Sequence, residues 1–262
     1  TVLADLFSDI FADTRVTLPD PSDSAAVKGK ERMVSVIAGA IRDRERPLRD
    51  DLVVGFGRAR LRISVSQSRA IVREARRRYR RHNAGRRFVE NEFFSTLALS
   101  HHSQPDPENV RYQLRRDPRV VEALERMWPV LTPAQLLRDL FGSKALISSA
   151  ASEHLSEEDW LTLFRPRGES LSGYRWSDAD VPLLDEAYLG LGPRLDRQRK
   201  ARDPEVRTFG HIVVDETQDH TPMALRMIAR RSLNGSMTIV GDIAQATAPG
   251  AAADWDEVLN HL

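Results

Sequence analysis

The sequence predicts an α/β protein: a parallel strand pair in the last quarter of the chain, preceded by a mainly helical stretch with one small β-hairpin. Three observations predict it. Two compact apolar runs, His211-Ile212-Val213-Val214 and Met237-Thr238-Ile239-Val240, flank a helical pattern from Met223 to Arg231. Strand, helix, strand in that order is a βαβ unit, whose two strands run parallel. Ahead of it, apolar residues recur mostly at helical spacing between proline- and serine-based start signals.

In chain order, Thr1 to Phe11 is a short apolar segment that begins abruptly, as if taken from something longer. Leu18 to Ser24 reads as a turn-rich connection. Met33, Val34, Ile37, Ala38 and Ile41 place an amphipathic helix over Lys28–Arg46, stopped by Pro47. Leu52–Phe56 and Ala59–Ile63 are strands joined at Gly57-Arg58. Ser66 or Ser68 caps an arginine-rich helix to about His82, and a second helix covers Phe88–Leu99. His101 to Asn109 is a polar loop. Helices then start at Thr132-Pro133, at Ser156-Glu157-Glu158 and after Ser177, and Gly192–Pro204 is a charged linker.

Composition narrows the function classes. The 262 residues suffice for one large or two modest domains. No apolar run is long enough to span a membrane, so no membrane partner is expected. The absence of cysteine excludes disulfides and thiolate metal sites and suits a reducing cytoplasm. A net charge of +1 gives no global attraction to nucleic acid.

The chemistry concentrates at the two strand ends. The first runs into Asp215-Glu216-Thr217-Gln218-Asp219, placing adjacent acids where an α/β sheet presents its functional crevice. A magnesium ion keeps several waters, so one carboxylate near phosphates is enough to hold it. A neighbouring carboxylate can then orient and deprotonate water. The second strand runs into Gly241-Asp242-Ile243-Ala244-Gln245.

These two runs resemble motifs II and III of the UvrD/Rep-like superfamily 1 helicases. The resemblance implies a RecA-like P-loop NTPase domain and an ATP- and magnesium-dependent hydrolase. Asp215 would be the magnesium acid and Glu216 the catalytic base. Gln218 and Asp219 would link the nucleotide to Asp242 and its neighbours, and Gln245 would sense the terminal phosphate. Trp128 to Pro133, Asp178 to Ala187, and Met237 to Asp242 make the chain similar to the HelD-type, actinobacterial branch. That branch binds RNA polymerase core, dissociates it from nucleic acid, and carries a large clamp-opening insertion before motif II. The implied division is 1–11 and 206–262 as pieces of the RecA-like domain, with 12–205 as the insertion.

Two departures shape the expectation. No Gly-x-x-x-x-Gly-Lys-Ser/Thr loop is present, and Gly142-Ser143-Lys144 is read as a helix-to-helix connection. Without a phosphate cradle this chain alone should not hydrolyse ATP. After Gln245, no aromatic occurs before Trp255, where helicases proper stack a DNA base. An ordinary DNA helicase or repair translocase is therefore the first alternative, and a non-catalytic protein-binding module the second. Arg73, Arg76, Arg77, Arg80, Arg81, Arg86 and Arg87 form a basic segment for RNA polymerase or DNA. His101-His102 lacks further ligands at metal spacing, and Trp128, Trp160 and Trp176 are expected to pack in cores.

Overall fold

The computed structural model describes residues 20–167, 174–194, 207–247 and 254–261. The opening segment and most of the expected linker lie outside them. The protein is α/β, with 57% of the described residues helical and two small sheets. The described elements are α1 (Ser22–Gly29), α2 (Met33–Arg42), β1 (Leu52–Phe56), β2 (Ala59–Ile63), α3 (Val65–Arg78), α4 (His82–Leu99), α5 (Pro107–Leu114), α6 (Pro118–Met127), α7 (Pro133–Phe141), α8 (Lys144–Ala151), α9 (Glu157–Thr162), α10 (Val181–Leu191), β3 (Ile212–Val214), α11 (Pro222–Ala229), β4 (Met237–Ile239) and α12 (Trp255–Asn260). Three short 3-10 turns, at Asp178–Asp180, Thr217–Asp219 and Ile243–Gln245, punctuate them. No helix among the described residues is long and apolar enough to cross a membrane.

The chain divides into two compact units, one of Ile41–Thr132 with Gly190–Ala201 and the other of the remainder. In the first, β1 and β2 pair antiparallel from Leu52↔Ile63 to Phe56↔Ala59. Gly57 turns the hairpin at φ +56°, a conformation open to a residue without a Cβ. Strand alternation sends Val54, Leu61 and Ile63 inward, where they join Val89, Phe93, Phe94 and Leu97 of α4 and Met127 and Trp128 at the end of α6.

Two helix starts differ from expectation. The cap of α3 is Ser64, whose Oγ accepts from the Gln67 N–H at 3.2 Å while Gln67 Oε1 accepts from the Ser64 N–H at 2.8 Å. This reciprocal capping box outcompetes Ser66 and Ser68 because only Ser64 has a Gln three residues on. The next helix starts at His82, well before Phe88. Trp128 Nε1 donates to the His82 carbonyl at 2.6 Å, and its ring lies where a Cβ on Gly85 would come within 2.8 Å. Packing thus stabilises a helical turn that Asn83 and Gly85 disfavour on their own. The polar loop also ends earlier, because Asp106 caps α5 with Pro107 at its first turn.

The other unit corrects the expected Lys28–Arg46 helix into α1 and α2, and α1 already begins inside the expected connection. The break follows from burial. Gly29 lies against Thr221, where a Cβ would come within 2.6 Å of Cγ2. Lys28 is fully buried, with Nζ 2.7 Å from Asp20 Oδ2 and 2.9 Å from Asp180 Oδ1. Arg165 adds two 3.0 Å contacts to Asp180. Burial pushes the Asp180 carboxyl up, but Lys28 and Arg165 outweigh it and hold it below the ordinary range. A second ionic cluster ties α10 to α11: Arg230 lies 3.0 Å from Asp185 and 2.5 Å from Glu186, and Arg231 lies 2.5 Å from Asp185. Here burial prevails over both arginines and raises Asp185 above its usual value.

The strands β3 and β4 pair parallel, Ile212↔Met237 through Val214↔Ile239, with α11 as the crossover. Thr221 Oγ1 caps α11 by accepting from the Ala224 N–H at 3.3 Å, and Pro222 occupies its first turn. Leu225 of α11 and Val258 of α12 form a small core joined by Ile239 and Ile243.

Candidate functional site

The site sits where β3 and β4 end side by side. Beyond Val214, the Thr217 N–H and Oγ1 both donate to the Val240 carbonyl, at 3.1 and 2.9 Å. Two donors on one carbonyl fix the two strand ends together. Between Val214 and Thr217 the chain turns through Glu216, which is left-handed at φ +50°, ψ +42°. A non-glycine residue there costs about 1–2 kcal/mol, and the buried Thr217 and Gln218 that follow hold it in place.

The Asp215 carboxylate is exposed, and its Oδ1 accepts from the Glu216 N–H at 3.0 Å. Glu216 is also exposed, and its Oε2 accepts from Gln218 Nε2 at 2.7 Å. The other end of the Gln218 amide accepts from the Asp242 N–H at 3.0 Å. Gln218 is therefore the physical link between the acids after β3 and the loop after β4. Gly241 makes room for it, because a Cβ there would collide with Gln218 Oε1 and come within 3.0 Å of the Thr217 nitrogen.

The second loop is organised by Asp242. Its Oδ1 accepts from the Ala244 N–H at 3.0 Å, and its Oδ2 from Gln245 Nε2 at 3.1 Å. Asp219 Oδ1 reaches further along the same loop, accepting from the Thr247 N–H at 3.1 Å and Oγ1 at 3.2 Å. His220 is half-buried, and that burial lowers its imidazole pKa against the opposing pull of Asp219. All six residues expected at the site, Asp215, Glu216, Gln218, Asp219, Asp242 and Gln245, belong to this pair of loops. Thr217 and Gly241 hold the geometry too. They occupy the variable position of the first run and the glycine of the second, so sequence position alone assigned them no task.

The donors at the site are carboxylate oxygens. No group of three or more His, Asp or Glu residues is arranged to hold an ion among the described residues. Asp215 and its exposed neighbour Glu216 offer hard carboxylate oxygens, the donor type that a largely hydrated divalent cation takes.

The arginine segment separates into two groups. Arg76 is 2.8 Å from Glu45 Oε2, and Arg77 is 2.7 Å from Glu74. Arg86 bonds Glu90, Glu125 and the carbonyls of Leu124 and Trp128, fastening α4 to α6. Arg73, Arg80, Arg81 and Arg87 are exposed. Within the same unit His82 is buried, with Nδ1 3.0 Å from Glu45 and Nε2 2.7 Å from the Pro129 carbonyl, and it stacks on Trp128. Trp128 and Trp176 are core residues and Trp160 is half-buried. His101 and His102 face each other at 4.1 Å on the surface.

No family model matches the sequence, and no curated protein matches it.

Proposed function

We propose that this chain is part of an ATP-dependent motor of the UvrD/Rep group, in its HelD-type branch, that binds RNA polymerase core and dissociates it from nucleic acid. The observation that carries the reading is the Gln218 bridge. Two parallel strands end in Asp-Glu-x-Gln-Asp and Gly-Asp-x-x-Gln, and one buried glutamine amide joins the acid of the first to the backbone of the second. On this reading β3, α11 and β4 belong to a RecA-like P-loop domain, entered again at about residue 206 after a mainly helical insertion.

Asp215 and Glu216 divide the work. Asp215 would hold magnesium mostly through water, and the ion would supply positive charge to the phosphates. Glu216 would take a proton from water at Oε1 while Gln218 steadies Oε2. Gln245, held through Asp242, would sense the terminal phosphate. The lysine and glycines that cradle phosphates are absent from this sequence, so on this reading they come from the longer parent protein.

The missing cradle is also the observation that favours a non-catalytic protein-binding module. The missing aromatic between Gln245 and Trp255 speaks against an ordinary DNA helicase.

Three experiments test the proposal. The chain as it stands should hydrolyse ATP no faster than its Glu216→Gln variant. In the parent protein, Glu216→Gln should abolish turnover and leave nucleotide binding largely intact, because the base acts on water in the transition state. Loss of binding and turnover together would make Glu216 structural. Core polymerase should be retained by the immobilised chain at lower concentrations than single-stranded oligonucleotide. Retention of oligonucleotide without polymerase would transfer the assignment to the helicase class.

A further inference from the structure

We infer that the unit built from Ile41–Thr132 binds nucleic acid through its phosphate backbone, along a band of arginines on α3 and the segment between α2 and β1. This goes beyond the motor reading and does not rest on it. The whole-chain charge of +1 conceals a strong asymmetry. Residues 41–132 contain 21 arginines, no lysine and 12 acids, a formal charge of +9, which leaves −8 on the rest of the chain. A compact unit with that excess attracts polyanions, whatever the average over the protein.

The arginines concentrate further within the unit. Helix α3 buries Ser68, Ile71, Val72 and Ala75, so Arg69 and Arg73 lie one turn apart on its outer side. The segment following α2 is laid along this helix at two points. The Leu48 N–H donates to Ser68 Oγ at 3.0 Å, and Arg76 Nη2 donates to the Arg42 and Glu45 carbonyls at 3.0 and 2.7 Å. Arg42 and Arg49 are thereby brought alongside α3, both exposed. Arg126 of α6 reaches the same segment, donating to the Pro47 carbonyl at 3.1 Å. Burial, with repulsion from Arg49 and Arg46 added to it, lowers its affinity for its proton.

Nearby acids do not cancel this charge. Glu45 is engaged by Arg76 and His82, which leaves Asp43 and Asp50 on the segment. Among the described residues no acid lies within ion-pair distance of Arg42, Arg49, Arg69 or Arg73.

The chemistry favours phosphodiester over an acidic protein surface. All 21 Lys/Arg cations of residues 41–132 are arginine, whose planar fork matches phosphate and carboxylate oxygens alike. The exposed positions between them on α3, Ser66, Gln67 and Ala70, offer no large apolar anchor of the kind that dominates protein interfaces. Contacts of this type position a backbone without reading bases, so the binding should be indifferent to sequence.

The test is fluorescence anisotropy of the full chain with labelled duplex DNA, single-stranded DNA and RNA of equal length, across a salt series. Saturable binding to any of the three is expected, equal for unrelated sequences, with a log–log salt slope of about −0.9 per neutralised phosphate on duplex or about −0.7 on single strands. The Arg49→Gln/Arg73→Gln variant should bind at least about tenfold more weakly, with the slope smaller by about two on duplex. Lys144→Gln/Arg175→Gln, an equal charge change outside the unit at two exposed positions, should leave both quantities unchanged. Unaltered melting temperatures would show that both variants fold. The inference is overturned by absent binding, by equal weakening in the two variants, or by polyglutamate competing as well as unlabelled nucleic acid.

Discussion

Gln218 Nε2 donates to Glu216 Oε2 across 2.7 Å, while the opposite end of the same amide accepts from the Asp242 N–H. The amide runs past Gly241 so closely that a single methyl group at that position would strike it. Gly241→Ala should therefore cost about 1–3 kcal/mol, the usual range for overpacking a filled site. Gln218→Ala should cost about 1–3 kcal/mol for the polar partners it abandons. In the Gln218→Ala background the Gly241→Ala change should cost markedly less, because the colliding atoms are gone. Urea unfolding of the four proteins closes the cycle, and additive costs would show that the amide does not cross Gly241.

Thr217 supplies a second fastening. Its hydroxyl donates to the Val240 carbonyl at 2.9 Å beside its own N–H. Thr217→Val keeps the shape and removes the donor, so it should lower stability by about 1 kcal/mol. Thr217→Ser retains the donor and should recover most of that in the same chemical denaturation assay. Equal losses in both variants would assign the methyl group, not the hydrogen bond, as the stabilising part.

Lys28 is buried between Asp20 and Asp180. Lys28→Met leaves both carboxylates short of a cation and should cost about 3–5 kcal/mol near neutral pH. The penalty should shrink in acid. Asp180 sits below its ordinary value of 3.8 in the folded protein, so its contribution is present above that value and is lost as pH falls through the folded one. Melting curves of both proteins from neutral pH downward should converge, and a constant gap would place the lost energy in packing instead of charge.

His220 carries a pH dependence of its own. Burial holds its imidazole below the ordinary 6.5. Its contribution to stability is complete above that value and declines as pH falls below it, because the unfolded chain takes the proton more readily. His220→Gln should flatten the stability profile between about pH 7 and pH 5. A profile as steep as that of the parent protein would show that other groups set the acid limb.

Much of the fold could be read from local pattern, and two of the failures share one cause. The hairpin ends fell at Leu52, Phe56, Ala59 and Ile63 because alternation and a two-residue glycine turn are contained within a dozen residues. The helix starts at Pro133 and Glu157 were legible for the same reason. Ser64 was also legible, since the Gln three residues on selects it from the three nearby serines, and the simpler preference for any serine hid it. The extension of α4 to His82 and the break after Gly29 were not legible, because Trp128 and Thr221 impose them from distant parts of the sequence. At the site, residue types and strand ends were evident, whereas the task of Gln218 depends on where its side chain crosses Gly241. The expected coverage of a parallel sheet is likewise incomplete, since Val213 is 65% exposed.

The Ser177 hydroxyl donates to Asp20, 157 positions earlier in the sequence, and this separation bears on how the protein comes into being. One compact unit occupies an almost unbroken stretch, Ile41–Thr132, whereas the other gathers three stretches separated by it and by Gly190–Ala201. Contacts so far apart must close long loops before any return is felt, which slows folding. At synthesis speeds of about 5–20 residues per second, Lys28 waits roughly 8–30 s for Asp180 to be made. During that interval the arginine-rich unit can complete its core from residues already synthesised, while Lys28 of α1 has Asp20 but not yet Asp180 to pair with. Birth order on the ribosome would therefore favour the hairpin unit as the first structure formed, with the acid-bearing loops after β3 and β4 among the last.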